Sequence, residues 1–119
     1  MATTLEAHVR ATGEQATIDL AGDIDGSARE AFDLAYAEAA GTKAPSMLLD
    51  FGDVDYINST GIALIVGLLG RARADGIAVA ACGLSDHYRE IFEITRLSDF
   101  MTIYESDAGT AAASQEEER

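Results

Sequence analysis

Two short apolar runs, Met47-Leu48-Leu49-Asp50-Phe51 and Ala78-Val79-Ala80-Ala81-Cys82, most limit what this chain can fold into. Each is too short for a helix and too apolar for a surface loop, so each reads as a buried strand. The first follows Pro45 and takes the central place; Ile77 opens the second. Around them lie segments with helical spacing. Ser27 to Ala40 carries Ala28, Phe32, Ala35 and Ala39 as one apolar stripe, and Ser59 to Ala74 reads as a second helix. Ser85 to Leu97 reads as a third, with Tyr88, Ile91, Phe92 and Thr95 on one side. Strands that alternate with helices require crossover connections and a largely parallel sheet.

The ends complete the pattern. Thr4 to Val9 alternates weakly and Ala16 to Leu20 clearly, with Thr12-Gly13-Glu14 as a turn between two antiparallel strands. Met101 to Tyr104 makes a short last strand. Ser27 followed by Glu30 predicts a capping box, and Gly41 predicts the stop of the first helix. Gly52-Asp53-Val54-Asp55 reads as an acidic loop. The expected fold is a single α/β domain over residues 3–105. The acidic segment 106–119 has no large apolar side chain and is expected to be disordered.

Charge narrows the function. Eight basic residues against 21 acidic ones give a formal charge of -13, and such a surface repels phosphate backbones and anionic lipids. Neither nucleic acid nor a membrane surface is an expected partner. Cys82 is the one cysteine, so no disulfide forms within the chain, and it reads as a small buried hydrophobe. No signal segment is read at the start, and Ile62 to Leu69 falls far short of the roughly 20 apolar residues of a membrane span. A cytoplasmic location is expected.

Enzyme signatures are missing: there is no Gly-Lys-Ser/Thr phosphate loop, no Gly-x-Ser-x-Gly elbow and no Gly-x-Gly-x-x-Gly fingerprint. His8 and His87 lie on different elements without partner ligands, so no metal or other cofactor is expected, and no catalysis. Asp19, Glu38 and Glu93 read as solvated faces.

The informative segment is Asp53-Val54-Asp55-Tyr56-Ile57-Asn58-Ser59-Thr60-Gly61-Ile62. Asn58 is placed to cap the second helix by accepting from the amide of Thr60 or Gly61. Ser59 and Thr60 then fall in the first turn, where free amides and the helix dipole favour a phosphate. Two hydroxyls at a helix start also serve simply as caps, and local chemistry leaves both readings open. On a helical wheel Ile62, Ile65, Val66 and Leu69 face the sheet. Thr60, Ala63, Leu64, Gly67, Gly70 and Arg71 fall outward, with Leu64 as the one large apolar group. That bare face suits either a docking protein or close packing within the domain.

Gly22-Asp23-Ile24-Asp25, Leu48-Leu49-Asp50-Phe51 and Val54 to Ile62 together resemble the STAS domain, and more narrowly the bacterial anti-sigma factor antagonists. The resemblance covers about residues 3 to 105. It implies a switch: the unmodified domain binds an anti-sigma factor that is also a serine/threonine kinase. Phosphorylation then releases the domain, and a phosphatase restores it. The hydroxyl before the motif's glycine is the implied phosphorylation site, here Thr60 ahead of Ser59. Gly61 is expected to leave room for the phosphoryl donor. Asp23, Asp25, Asn58, Ser59, Thr60 and Gly61 are the implied partner contacts, and Leu64 joins them as the large apolar group on the outward face of the helical wheel. Asn58 stands where the family usually has an acid, which keeps the cap and removes a charge. The resemblance leaves the domain a monomer or weak homodimer.

Two other readings compete. A STAS domain also serves as an unphosphorylated scaffold or small-molecule sensor in a larger signalling or transport assembly. A response-regulator receiver domain has similar length and alternation, with Asp50 as its phosphoacceptor. It expects a lysine after the last strand, whereas Lys43 is the only lysine here and Glu105 follows Tyr104.

Overall fold

The computed structural model describes residues 4–104. Thr3, Glu105 and the acidic 106–119 tail, with its expected disorder, lie outside the described residues. Strand β1 (Glu6–Thr12) turns through Gly13 into β2 (Gln15–Ile24). Gly13 has φ 62°, the left-handed conformation that a two-residue hairpin turn demands at its first position. Helix α1 (Arg29–Gly41), strand β3 (Ser46–Ile57), helix α2 (Ser59–Ala74), strand β4 (Ala78–Cys82), helix α3 (Asp86–Ile94) and strand β5 (Thr102–Ile103) follow.

The five strands form one sheet in the order β1-β2-β3-β4-β5. β1 and β2 are antiparallel, and every later pair is parallel. This is the mixed, mostly parallel α/β sheet that the sequence predicts. Right-handed crossovers taken always in one direction carry the helices to the same face. Side-chain alternation agrees. Ala16 and Ile18 stand beside Met47 and Leu49, which stand beside Val79 and Ala81. All six join Phe32 and Ala35 of α1, Ile65 and Leu68 of α2 and Phe92 of α3 in one core. Phe92 meets Phe51 edge to face, with ring centroids 5.7 Å apart. Burying each of Phe32 and Phe92 stabilises the fold by about 1.5–3 kcal/mol.

Four local expectations are corrected. Gly52 to Asp55 is strand, not loop: β3 continues to Ile57, pairing Ala21 with Asp53, Asp23 with Tyr56 and Ile24 with Ile57. Register shifts after Asp19 and Gly22 let the two strands stay paired, and Gly22 takes φ 108° there. The acids point to water, which is why the stretch looks like a loop in sequence. Ser27 does not cap α1. Asp25 caps a 3-10 turn over Gly26–Ala28 instead, and α1 begins at Arg29. Gly41 does not stop α1 but belongs to it; Lys43 takes the left-handed conformation at φ 67°. The Thr42 hydroxyl donates to Ala39 O at 2.7 Å, so the last turn is closed by a side chain rather than by glycine. The third helix ends at Ile94, not Leu97, because Arg96 turns left-handed at φ 68°. Its start agrees with the sequence, since Ser85 caps it by accepting from the Tyr88 amide.

Candidate functional site

The extended ends of β2 and β3 place two chain segments side by side where α1 and α2 begin. At the end of β3, Asn58 is extended, and its Oδ1 accepts from the Gly61 amide at 2.8 Å. Its backbone N–H donates to Ile24 O at 3.2 Å, and its own carbonyl accepts from Ile62 N at 2.9 Å. Four amides at a helix start lack partners within the helix. Here Asn58 bonds to β2 and Gly61 bonds to Asn58, which leaves the amides of Ser59 and Thr60 at the exposed end. The predicted cap is therefore present, and it is also a tether to the neighbouring strand.

Gly61 has a different role from the one expected. A Cβ at this position would overlap the carbonyl oxygen of Ile24 and stand 2.9 Å from its Cγ2. The missing side chain makes room for the β2 backbone, not for a phosphoryl donor, and Gly61 itself is buried. Ser59 and Thr60 are both exposed. Neither hydroxyl has a hydrogen-bond partner among the described residues, so neither serves as a cap. Thr60 lies against the β2–α1 junction: a Cβ built on Gly26 would meet Thr60 Cγ2 at 3.6 Å.

Side-chain hydrogen bonds hold that junction. Asp25 Oδ1 accepts from the Ser27 hydroxyl at 2.6 Å and from the Ser27 amide at 2.9 Å. The hydroxyl first, and the amide second, hold the Asp25 carboxyl below its ordinary range. Asp23 stands opposite Tyr56 on β3, a residue 52% exposed. Asp53 and Asp55 are exposed on the same stretch of β3. The structure thus brings Asp23, Asp25, Asn58, Ser59, Thr60 and Gly61 to one end of the sheet, with an acidic rim. α3 braces this end from below, since the Tyr88 hydroxyl accepts from the Ile57 amide at 2.9 Å.

Leu64 does not belong to that surface. It is buried in the core beside Ile65 and Leu68, and the exposed aliphatic group on α2 is Val66, at 48%. The wheel is rotated because α2 packs on α1 as well as on the sheet, so its buried stripe runs Gly61, Leu64, Ile65, Leu68, Leu69 and Ala72. With aliphatic residues on both sides, sequence alone does not select the centre of that arc. The outward face keeps Thr60, Ala63, Gly67 and Gly70. A Cβ on Gly67 or Gly70 would meet nothing within 4 Å, so close packing within the domain does not account for these glycines. Tyr56, which the sequence reading passes over, and Val66, which it turns toward the sheet, are both exposed at the surface. Tyr56 alternates with buried Ile57, a signal masked by the acids around it.

Among the described residues no three His, Cys, Asp or Glu side chains are grouped to hold a metal ion. No helix among them is long and apolar enough to cross a membrane.

Comparison with known proteins adds three findings. A family model described as Mlab, STAS domain, matches residues 7–103. The anti-sigma-B factor antagonist of Listeria monocytogenes is 38% identical over 55 residues, which are 46% of this chain and 48% of that protein. The chain thus spans about half the length of the curated relatives it matches. Among solved structures, an anti-sigma factor antagonist from Mycobacterium paratuberculosis superposes with a TM-score of 0.72 at 18% identity, covering 92% of this chain and 93% of that one. The Bacillus cell fate determinant SpoIIAA in its phosphorylated form gives 0.66 at 19% identity, covering 90% and 98%. At these identities the structures share the fold.

Proposed function

The chain belongs to the STAS domain family, and on that premise we propose that it is an anti-sigma factor antagonist switched by phosphorylation of Thr60. The unmodified domain binds an anti-sigma factor with serine/threonine kinase activity through the end of the sheet where α1 and α2 begin. Asp23, Asp25, Asn58, Ser59, Thr60 and Gly61 form or shape that surface, and Tyr56 adds an exposed ring beside it. The domain itself performs no catalysis, works in the cytoplasm and is restored by a phosphatase.

The observation that carries this reading is the state of Thr60. Its hydroxyl is exposed and has no partner among the described residues, while Asn58 and Gly61 supply the cap and the tether. Modification therefore removes nothing that holds the fold. A phosphate adds about -1.5 to -2 charge next to two exposed amides that favour it. On the partner side the same charge joins the acidic rim of Asp23, Asp25, Asp53 and Asp55. Each 1.4 kcal/mol of repulsion or desolvation weakens binding about tenfold.

Incubation with an anti-sigma factor kinase and ATP, followed by mass spectrometry, tests the reading. The phosphate should fall on Thr60 and be retained in Ser59→Ala. Thr60→Ala should bind the partner and resist modification, and Thr60→Glu should fold and bind weakly.

The bare α2 face, with open space over Gly67 and Gly70, favours a second reading as an unphosphorylated scaffold. A Thr60→Glu protein that binds as tightly as the parent would select it.

A further inference from the structure

We propose that the groove at the far end of α2 binds an organic anion with an apolar body, a carboxylate or sulfonate on an aliphatic or aromatic frame. The groove lies between the C-terminal half of α2, the start of β4 and the segment 95–102 after α3. Its volume is about 700 Å³, within the roughly 300–1,000 Å³ of small-ligand sites. Its floor is apolar: Leu69, Val79, Leu97 and Met101 are all buried there. Val66 and Phe100 stand on its rim, 48% and 56% exposed.

Charge selects the ligand. Arg73 and Asp99 are the charged side chains that line the groove. Asp99 is already paired, since Arg96 Nε donates to its Oδ2 at 2.7 Å. Arg73 has no carboxylate partner among the described residues; its guanidinium lies 5.9 Å from the centre of the Phe100 ring. In a chain with 21 acidic residues, a guanidinium left to an aromatic ring at the mouth of an apolar groove is an unused anion receptor. Its planar donor fork suits a carboxylate or sulfonate, and the floor below takes the apolar body.

Gly70 keeps the groove open. A Cβ there would meet nothing within 4 Å, so a side chain can be added at this wall of the groove without a clash at its Cβ. Thr60 and Gly70 lie about 15 Å apart along α2, at about 1.5 Å per residue. The groove is thus separate from the Thr60 surface, and its ligand is argued without the switch.

The test uses 1-anilinonaphthalene-8-sulfonate and its uncharged counterpart N-phenyl-1-naphthylamine as probes. Titration of the folded protein is followed by fluorescence and by amide NMR shifts. One sulfonate should bind per chain, with shifts confined to residues 66–79 and 95–102. Arg73→Gln should weaken sulfonate binding at least tenfold and leave the uncharged probe unchanged. Gly70→Leu, shown by circular dichroism to be folded, should block both probes. The absence of saturable binding, shifts that centre elsewhere, or an Arg73→Gln protein that binds the sulfonate as the parent does would each overturn the proposal. None of these readouts involves a kinase or Thr60, so the site and the switch stand or fall separately.

Discussion

The carbonyl of Ile24 fills the space that a side chain on Gly61 would need, so β2 and α2 touch backbone to backbone. No rotamer relieves an overlap between a Cβ and a main-chain oxygen; one of the two elements has to move. Gly61→Ala should therefore destabilise the domain by about 2 kcal/mol, in the middle of the range for overpacked cores. Urea denaturation measures it. Gly67→Ala on the open side of the same helix should do the reverse and stabilise by about 0.5–1 kcal/mol, since alanine is the better helix former. Two equal responses would mean that the contact with Ile24 carries no strain.

Asn58 offers a second measurement. Asn58→Ala removes the acceptor of the Gly61 amide and should cost about 1 kcal/mol. Asn58→Asp keeps an acceptor and adds negative charge at the helix start, where the dipole favours it, so its unfolding midpoint should equal or exceed the parent's. If the alanine variant is as stable as the parent, the tether from Asn58 N to Ile24 O holds the helix start alone.

Tyr36 makes stability depend on alkaline pH. Burial, and then the hydrogen bond that its hydroxyl donates to Asp75 Oδ2 at 2.5 Å, push its pKa up from 10.0 to about 12. Between these values the unfolded chain gives up the phenolic proton and the folded chain retains it. Fewer protons are then bound in the unfolded state, so stability falls as pH rises. The contribution is fully present below pH 10.0 and is lost by about pH 12, a change of about 3 kcal/mol at roughly 1.4 kcal/mol per unit. Tyr36→Phe should flatten the slope of stability against pH in that window. An unchanged slope would locate the alkaline sensitivity elsewhere.

Thr60 should be neutral to the fold. Because its hydroxyl bonds to nothing among the described residues, Thr60→Ala and Thr60→Glu should each shift stability by no more than about 0.5 kcal/mol, as ordinary surface substitutions do. Thermal denaturation reads this directly. A larger loss in Thr60→Glu would mean that any weakening of partner binding reflects a damaged fold rather than added charge.

The elements that were legible in sequence are those whose burial is uniform. Met47 to Phe51 and Val79 to Cys82 announce themselves because apolar side chains in so short a run leave few other options. The Ser59–Ala74 helix is legible at both ends, and Asn58 marks its start. Where exposure alternates with burial, local signals mislead. Asp53 and Asp55 hide a strand because their side chains face water while their backbone is paired. Ser27 looks like a cap, yet Asp25, two residues earlier, reaches its amide first. The wheel over α2 misplaces Leu64 and Val66 because the helix contacts α1 as well as the sheet, a tertiary fact with no local trace. Of the site, Asn58, Ser59 and Thr60 are readable from helix-start chemistry. The role of Gly61 is not, because its constraint comes from a residue 37 positions earlier in the chain.

The order of strands across the sheet repeats their order along the chain, and this bears on how the domain comes into being. No strand waits for a later segment to be inserted between it and its neighbour, so each pairing closes over one turn or one helix. Loop-closure entropy grows only slowly with such lengths, and assembly can advance strand by strand as the chain leaves the ribosome, at about 5–20 residues per second. The hairpin, α1 and β3 leave the ribosome ahead of Asn58. Thr60 therefore emerges after the Asp25–Ser27 junction that forms the other half of its surface.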